Sequence, residues 1–224
     1  MKNDKKIDEI ILLNKMKWDN WAEEDILEGR KVKFFGISFS FNFHKYQALV
    51  VDLINFNSTC KFLDLGCGSG WAVNYAFEKA NGKGEFYGLD ISQKMINKAL
   101  EIYKNNNQLH FQMGDSASLP FSDNFFDFII TTNSFHHYPE PDKALSEIKR
   151  VLKPGGFVYI LDPTSDGPIT KIVNILGKIV EKEHVNMYST RQYRRMFSKA
   201  GLEYNRRYKI GLLNSTKVHE GRKI

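Results

Sequence analysis

The chain has 224 residues, of which 42% are hydrophobic and 26% charged, and its formal net charge at pH 7 is +6. This length and hydrophobic content predict one domain with a full core and exclude a second catalytic domain. Two cysteines outside any C-x-x-C pair and apolar runs too short to span a membrane exclude a disulfide framework and a transmembrane helix, so we expect a cytoplasmic protein that binds no metal.

Residues 1–55 are rich in aromatic side chains and are expected to form a helical cap segment before the first strand. No apolar signal-peptide core follows the charged start of the chain. Most of the aromatic residues are expected to pack N-terminal helices onto a sheet, and some to line a cavity. They are Trp18, Trp21, Phe34, Phe35, Phe39, Phe41, Phe43 and Tyr46.

A glycine-rich turn follows the first predicted strand, residues 61–66, in the sequence LDLGCGSG at 63–70. Its glycines allow the backbone to turn tightly and to approach a ligand, because no Cβ blocks positive φ angles. Asp64, just before the turn, would repel a pyrophosphate, and the G-x-G-x-G spacing differs from the dinucleotide fingerprint G-x-G-x-x-G. A cationic ligand therefore fits the turn better, and Cys67 is interpreted as a small turn residue, not a nucleophile.

Strands and helices alternate through the centre of the chain. Strands are predicted at 61–66, 84–90, 108–113, 125–132 and 156–162, and helices near 70–80, 92–105 and 140–152. This alternation predicts an α/β fold with a doubly wound, mostly parallel sheet, which binds ligands beyond the carboxyl ends of its strands. Asp90 ends the second strand about 20 residues past the glycine turn, where a carboxylate can accept hydrogen bonds from both ribose hydroxyls.

The C-terminal third combines an amphipathic segment with a basic helix. Ile169, Ile172, Val173, Leu176, Ile179 and Val180 recur at helical spacing, which predicts a helix that either covers a hydrophobic substrate or docks on the core. A further helix is predicted at 190–201 and carries Arg191, Arg194, Arg195 and Lys199. These cations form either a solvated face or a surface for an anionic membrane, an acidic partner or nucleic acid.

Four motifs in this order resemble the class I S-adenosylmethionine-dependent methyltransferases: LDLGCGSG, GLD at 88–90, GDSASLPF with NFFDFII at 114–130, and LKPGG at 152–156. The chain is most similar to their small-molecule group, methyltransferase type 11, which includes the ubiquinone and menaquinone biosynthesis enzymes. The resemblance covers residues 61–202. It implies a Rossmann-like fold with seven strands, a methyltransferase domain over 56–224, a substrate-covering insertion at 163–188, and an antiparallel C-terminal edge hairpin formed by 203–210 and 213–219.

The resemblance implies S-adenosyl-L-methionine as the cofactor and S-adenosyl-L-homocysteine as the product. Asp64 and the glycine turn would hold the methionine end, Asp90 the ribose, and Asp115 with Ser116 the adenine. Asn133 would offer its backbone carbonyl near the amino group. The full set of expected cofactor-binding residues is Asp64, Gly66, Cys67, Gly68, Gly70, Asp90, Ile91, Met95, Asp115, Ser116 and Asn133.

The implied reaction is an in-line methyl transfer to an oxygen, carbon or nitrogen atom of a small, apolar acceptor. A base is optional, and the candidates are His136 and His137, whose alternative roles are pocket shaping or helix capping. The sequence NSFH at 133–136 departs from the Asn/Asp-Pro-Pro-Tyr motif of amino-directed nucleic-acid methyltransferases, so nucleic acid is disfavoured as a substrate.

Two other functional classes stay open at this point. A nicotinamide-dependent oxidoreductase would share the sheet, but the glycine spacing and Asp64 argue against it. A noncatalytic module would keep the cofactor fold and dock its basic C-terminal surface on RNA or a partner. Peripheral membrane contact and the choice between a monomer and a homodimer are also left open.

Overall fold

The structure is a computed structural model that describes residues 2–23, 30–34, 37–41, 43–168, 170–172, 174–175, 186–210 and 215–224. The structural statements below concern these residues.

The N-terminal segment contains a β-hairpin between two helices. Helix α1 (Lys2–Glu23) is followed by the antiparallel strands β1 (Arg30–Phe34) and β2 (Ile37–Phe41), and then by α2 (Phe43–Val51). The description of residues 1–55 as helical is therefore corrected at 30–34 and 37–41. Apolar and polar residues alternate in both strands, as in the sequence ISFSF of β2, and this period of two favours a strand. Phe35 lies outside the described residues.

Seven further strands form one sheet. They are β3 (Lys61–Leu65), β4 (Glu85–Asp90), β5 (Leu109–Met113), β6 (Phe126–Thr132), β7 (Leu152–Pro163), β8 (Glu203–Ile210) and β9 (Thr216–Arg222). Their order is β5-β4-β3-β6-β7-β9-β8, with β3 to β7 parallel and β9 antiparallel to both its neighbours. The predicted doubly wound, mostly parallel sheet with an antiparallel C-terminal edge is confirmed.

Helices pack on both faces of this sheet because successive strand residues point to opposite sides. On β3, Leu63 joins a buried cluster with α5 (Pro141–Val151) and α6 (Thr190–Ala200). Its neighbour Phe62 joins a second cluster with α2, α3 (Trp71–Lys79) and α4 (Gln93–Ile102). The two buried clusters pack on opposite faces of the sheet and hold the strands, including their ends, in place.

The starts of two helices are set by serine caps. Ser92 accepts a hydrogen bond from Met95 N at 3.1 Å before α4, and Ser189 forms a capping box with Gln192 before α6. A short 3₁₀ helix, Phe135–His137, follows β6 and brings the two adjacent histidines to the carboxyl end of the sheet.

The final strand lies about three residues later than the predicted 213–219, and residues 211–214 are outside the described part. Several polar residues of β9 are buried, among them Lys217, His219 and Glu220. Each has a polar partner: Asp166 for Lys217, Tyr204 for His219, and Tyr208 for Glu220. A strand with this many polar residues has no apolar pattern from which its position could be predicted.

The predicted insertion at 163–188 is described only in part. Residues 168, 170–172 and 174–175 are helical, whereas residues 169, 173 and 176–185 are outside the described part. Ile172 and Ile175 are exposed. Whether this segment covers a substrate therefore remains a prediction.

The basic residues predicted on one helix lie on the exposed side of α6. Arg191, Arg194 and Arg195 are exposed, and Lys199 forms an exposed ion pair with Asp142 at 2.6 Å. This arrangement is that of a solvated helix face, and a role in binding an anionic partner stays a prediction.

An ion pair between a buried lysine and a more exposed aspartate joins β9 to the start of α6. Asp166 accepts hydrogen bonds from the backbone N (2.9 Å) and Oγ1 (2.5 Å) of Thr190, and it pairs with Lys217, which is only 4% exposed. Although burial works in the opposite direction, the hydrogen bonds from Lys217 and Thr190 lower the pKa of Asp166 to about 2.

Removing this ion pair is expected to destabilise the protein. We predict that Asp166→Asn lowers the free energy of unfolding at pH 7 by about 1–3 kcal/mol, because the buried Lys217 is left without its anion. Since the pKa of Asp166 is lowered in the folded state, its stabilisation is present above about pH 4 and is lost as the pH falls towards about 2. Urea unfolding at pH 7 and pH 3 measures both effects. Asp142→Asn, which removes the exposed pair with Lys199, is the control, and an equal loss in both variants would contradict the prediction.

Candidate active site

A cavity of about 500 Å³ opens at the carboxyl ends of β3, β4, β6 and β7. Leu65, Asp90, Thr132 and Pro163, which lie at the ends of these four strands, all line it. This is the position at which open α/β sheets bind ligands. Nine of the eleven expected cofactor-binding residues are among the described residues that line the cavity: Gly66, Cys67, Gly68, Asp90, Ile91, Met95, Asp115, Ser116 and Asn133. Asp64 and Gly70 are not among them.

The glycine turn forms one wall of the cavity, and its backbone conformation requires glycine. Gly66, Gly68 and Gly70 have φ angles of 85°, 53° and 84°. A Cβ on Gly66 would lie 2.2 Å from Ser134 Oγ, and one on Gly70 would lie 2.5 Å from the Phe111 ring. A Cβ on Gly68 would meet no described atom within 4 Å, so the backbone at Gly68 faces open space.

Asp90 holds the glycine turn against β4. Its Oδ2 accepts a hydrogen bond from Gly68 N at 2.8 Å and its Oδ1 accepts one from Ser92 N at 2.9 Å. Burial raises the pKa of Asp90, and these amide bonds act against that increase. An ionised carboxylate has about four lone-pair sites, so two remain for a ligand. The sequence analysis indicated the ligand role alone and gave no sign of the anchoring role.

Asp64 is buried completely, and neither of its carboxylate oxygens has a hydrogen-bond partner among the described residues. Burial, with a smaller effect of the Asp90 charge, raises the pKa of Asp64 to about 8. A buried carboxylate without a partner is costly, and a cation brought close to it would remove that cost. The turn therefore fits a ligand with a positively charged group, such as the S-adenosylmethionine that the motifs imply.

Three more of the expected cofactor residues lie in the loops after β3, β5 and β6. Asp115 Oδ1 accepts a hydrogen bond from Ala117 N at 2.8 Å, which fixes the loop after β5. Asn133 has a positive φ of 52° and donates its N–H to the carbonyl of Leu161 at 2.7 Å. Cys67 is 2% exposed, and burial raises the pKa of its thiol well above the usual value, which agrees with a packing residue, not a nucleophile.

The two candidate histidines have different surroundings. His136 Nδ1 lies 2.8 Å from Oδ1 of the fully buried Asp162, and Asp162 Oδ2 accepts a hydrogen bond from Tyr193 at 3.1 Å. His137 is buried under α1, where its carbonyl oxygen accepts a hydrogen bond from Asn14 Nδ2 at 3.0 Å. Both residues line the cavity, and Asp162 is a carboxylate partner of His136.

Helix α1 closes one side of the cavity. Trp18 packs edge-on against the His137 ring with a centroid distance of 5.3 Å, and Asp19 accepts a hydrogen bond from Ser92 Oγ. Among the N-terminal aromatic residues whose side chains the structure describes, Trp18 and Phe43 line the cavity and Tyr46 packs on the core.

The cavity also has an aromatic wall that the sequence analysis did not identify. Trp71 stacks on His44 at 4.4 Å and on Tyr75 at 5.1 Å, and both His44 and Trp71 line the cavity. Beside them, Gln47 Nε2 donates to Thr132 Oγ1 at 3.4 Å. The sequence feature that could have indicated this wall is the position of Trp71 directly after the glycine turn. This wall suits a planar or apolar ligand.

Comparison with known proteins agrees with this geometry. A family model described as a methyltransferase domain matches residues 63–160. A demethylmenaquinone methyltransferase of Staphylococcus haemolyticus is 37% identical over 126 residues, which are 55% of this chain and 52% of that protein. The chain thus spans about half the length of this curated relative. The demethylmenaquinone methyltransferase of Staphylococcus saprophyticus is 30% identical over 72% of this chain and 78% of its own length.

A solved structure of a SAM-dependent methyltransferase from Aquifex aeolicus has a similar fold. It superposes with a TM-score of 0.64 at 24% identity and covers 80% of this chain and 89% of its own. Among the described residues, no helix combines the length and the apolar character that crossing a membrane requires.

Removing the charge of Asp64 is expected to stabilise the ligand-free protein at alkaline pH. Because the pKa of Asp64 rises from 3.8 to about 8 on folding, its contribution to stability falls as the pH rises through this range. We predict that Asp64→Asn has a higher free energy of unfolding than the wild type at about pH 8.5, by on the order of a few kcal/mol, and no such advantage below about pH 4. Urea unfolding at both pH values measures the difference.

Asp123→Asn is the matched control, because Asp123 is an exposed carboxylate paired with Arg150 at 2.8 Å. It should show no gain at alkaline pH. An Asp64→Asn variant that is no more stable than the wild type at about pH 8.5 would show that Asp64 has a partner that compensates its charge.

Proposed function

Because this chain belongs to the class I S-adenosylmethionine-dependent methyltransferases, we propose that it transfers a methyl group from S-adenosyl-L-methionine to a small, apolar acceptor. The cofactor, when bound, supplies a methyl group that its sulfonium has already activated. The protein's part is then to hold the two reactants in line, to exclude water and to manage the acceptor's proton.

The cofactor would lie across the carboxyl ends of β3, β4 and β5. We assign Asp64 to the ammonium of the methionine part, Asp90 to the ribose hydroxyls, and Asp115 with Ser116 to the adenine. Gly68 lets the backbone approach the ligand, and Ile91 and Met95 add apolar contacts from β4 and α4.

The observation that carries the proposal is the unpartnered, buried carboxylate of Asp64 beside the glycine turn. A dinucleotide cofactor would place a pyrophosphate at such a turn, beside the buried acids Asp64 and Asp90, and either acid would repel it once ionised. A cofactor with an ammonium and a sulfonium is instead attracted by them. Cation recognition therefore favours methyl transfer over hydride transfer.

The acceptor would occupy the part of the cavity between α2 and His136. Phe43, His44 and Trp71 make this part aromatic, and it suits a flat ring more than a polar chain. The two curated relatives are named as demethylmenaquinone methyltransferases. We propose an aromatic hydroxy compound or quinol as the acceptor class for this chain, methylated in the cytoplasm by a monomer or homodimer.

Cofactor binding is expected to release a proton. We predict that S-adenosylhomocysteine binds at pH 7 with the loss of close to one proton, because the ammonium of the ligand makes Asp64, whose pKa is about 8 in the ligand-free protein, ionise. Calorimetric titrations in phosphate and in Tris measure this, since the apparent enthalpy then depends on the ionisation enthalpy of the buffer.

Three controls make this test specific. Asp64→Asn should bind more weakly and without proton release, and 5′-methylthioadenosine, which lacks the amino-acid part, should bind the wild type without proton release. NAD should give no heat in a parallel cell. Binding of NAD in place of S-adenosylhomocysteine would overturn the proposed function.

The acceptor class is tested with matched ring compounds under reducing conditions. We predict that the methyl label of S-adenosylmethionine passes to 1,4-dihydroxynaphthalene and not to 1,4-dimethoxynaphthalene, since the second compound has the same ring without a removable proton. Extraction into an organic solvent and mass spectrometry identify the product. Label transfer to a simple alkylamine, with none to either naphthalene, would contradict the aromatic hydroxy class.

A further inference from the structure

A chain of three side chains from three separate elements leads from the cavity into the core. His136 comes from the 3₁₀ helix after β6, Asp162 from the end of β7, and Tyr193 from α6. His136 Nδ1 and Asp162 Oδ1 are 2.8 Å apart, and Tyr193 donates its hydroxyl to Asp162 Oδ2 at 3.1 Å. These elements meet only in the folded protein, since 26 and 31 residues separate the bonded pairs along the chain.

Burial makes this arrangement demanding. Asp162 and Tyr193 have no exposed surface, whereas the His136 side chain is 13% exposed and lines the cavity. A buried carboxylate is costly unless its oxygens are hydrogen-bonded, and each oxygen of Asp162 has one partner. Burial and the Asp162 charge raise the pKa of Tyr193 well above its usual value, so the phenol keeps the proton that it donates.

The hydrogen-bond pattern fixes the tautomer of His136. A carboxylate can only accept hydrogen bonds, so the ring must donate from Nδ1. In the neutral ring the proton-accepting nitrogen is then Nε2, at the end of the ring away from Asp162. When Nε2 takes up a proton, the positive charge of the ring lies beside the negative charge of Asp162.

We infer that Asp162 and Tyr193 are positioning residues that hold His136 as a general base whose Nε2 removes a proton from the methyl acceptor. The inference rests on the proposed methyl transfer and narrows its substrate class to acceptors that must lose a proton, such as a phenol, a quinol or an enol. In this step the acceptor's X–H bond breaks, its proton bonds to Nε2, and its electron pair stays on the acceptor as the nucleophile. Thiolates and other nucleophiles that are already ionised need no such group.

His137 provides an internal contrast. Its ring centroid lies 4.1 Å from that of His136, and it also lines the cavity, but its main-chain carbonyl is bonded to Asn14 and its ring packs on Trp18. These contacts hold α1 over the site.

The test measures the tautomer directly, without an acceptor. Histidine labelled with ¹⁵N is incorporated, and the His136 signals are identified by their loss in His136→Gln. In neutral wild-type protein we expect Nδ1 to be protonated and Nε2 to carry the lone pair. In Asp162→Asn the amide can donate to Nδ1, so the ring should change to the tautomer with Nε2 protonated. Protonated Nε2 in the wild type, or an unchanged tautomer in Asp162→Asn, would overturn the inference.

A chemical probe measures how well Nε2 accepts an electrophile. Diethyl pyrocarbonate acylates neutral imidazole, and mass spectrometry of peptides gives the rate at each histidine, with the exposed His110 as the reference. We expect the rate at His136 to fall roughly 10- to 100-fold in Asp162→Asn, which corresponds to the loss of one hydrogen bond to a charged group. An unchanged rate would mean that Asp162 serves the fold alone.

Tyr193→Phe is the second variant, in case Asp162→Asn does not fold. It removes one hydroxyl, keeps the ring that stacks on His219 at 3.9 Å, and leaves the Asp162 carboxylate to accept from Nδ1. We therefore expect the wild-type tautomer but a lower rate of acylation at His136, because Asp162 is held by one bond fewer, and an unchanged rate would remove Tyr193 from the positioning role. Asp123→Asn and Tyr208→Phe are the matched controls, because they remove a carboxylate and a phenol of the protein surface or sheet edge, and both should keep the wild-type tautomer and the wild-type rate.

The same samples separate this inference from the proposed function. Addition of S-adenosylhomocysteine shows whether the cofactor site binds, independently of the His136 tautomer. Binding with the wrong tautomer would overturn the general base and leave methyl transfer standing. The expected tautomer without binding would support the positioning of His136 and contradict the proposed cofactor.

Discussion

Three carboxylates, Asp64, Asp90 and Asp162, are buried near the carboxyl ends of β3, β4 and β7, and the protein has to compensate each of them. Two backbone amides bond Asp90, and His136 with Tyr193 bonds Asp162. For Asp64 the described residues supply no partner. The site can therefore be understood as a set of buried acidic groups, of which two are hydrogen-bonded by the fold and one is left for a ligand.

This arrangement depends on the parallel sheet. Parallel pairing places the ends of β3, β4, β6 and β7 along one edge, and apolar packing on both faces keeps those ends from moving. The polar groups at the edge are thereby held close together in a region of low dielectric, where their interactions are strong. The same packing makes the Gly66 position intolerant of a side chain, since Ser134 from the next loop fills the space. Fold and site are thus joined through sterics as much as through charge.

The sequence was sufficient for the parts of the molecule that follow local rules. The periodicity of hydrophobic residues and the glycine turns predicted β3 to β6, the helices between them and the acids at strand ends. Buried strands and glycine turns are recognised from a few consecutive residues of the sequence. The β1–β2 hairpin was missed although its alternation was visible, and β9 was shifted because its buried polar residues are satisfied by distant partners. The sequence predicted that Asp162 lies at the end of a strand. Its contact with His136 could not be predicted, because 26 residues separate the two and no local sequence pattern indicates such a contact.

Keeping an uncompensated Asp64 also has a consequence for stability. The raised pKa means that the ligand-free protein is less stable at neutral and alkaline pH than the same fold with a neutral residue at this position. A bound cation reverses this effect, so ligand binding and folding draw on the same electrostatic free energy. A residue that weakens the free fold and strengthens the complex is typical of a functional site and has no explanation in packing alone. For this reason the carboxylate that the fold leaves unsatisfied is better evidence for the ligand's charge than the carboxylates that it satisfies.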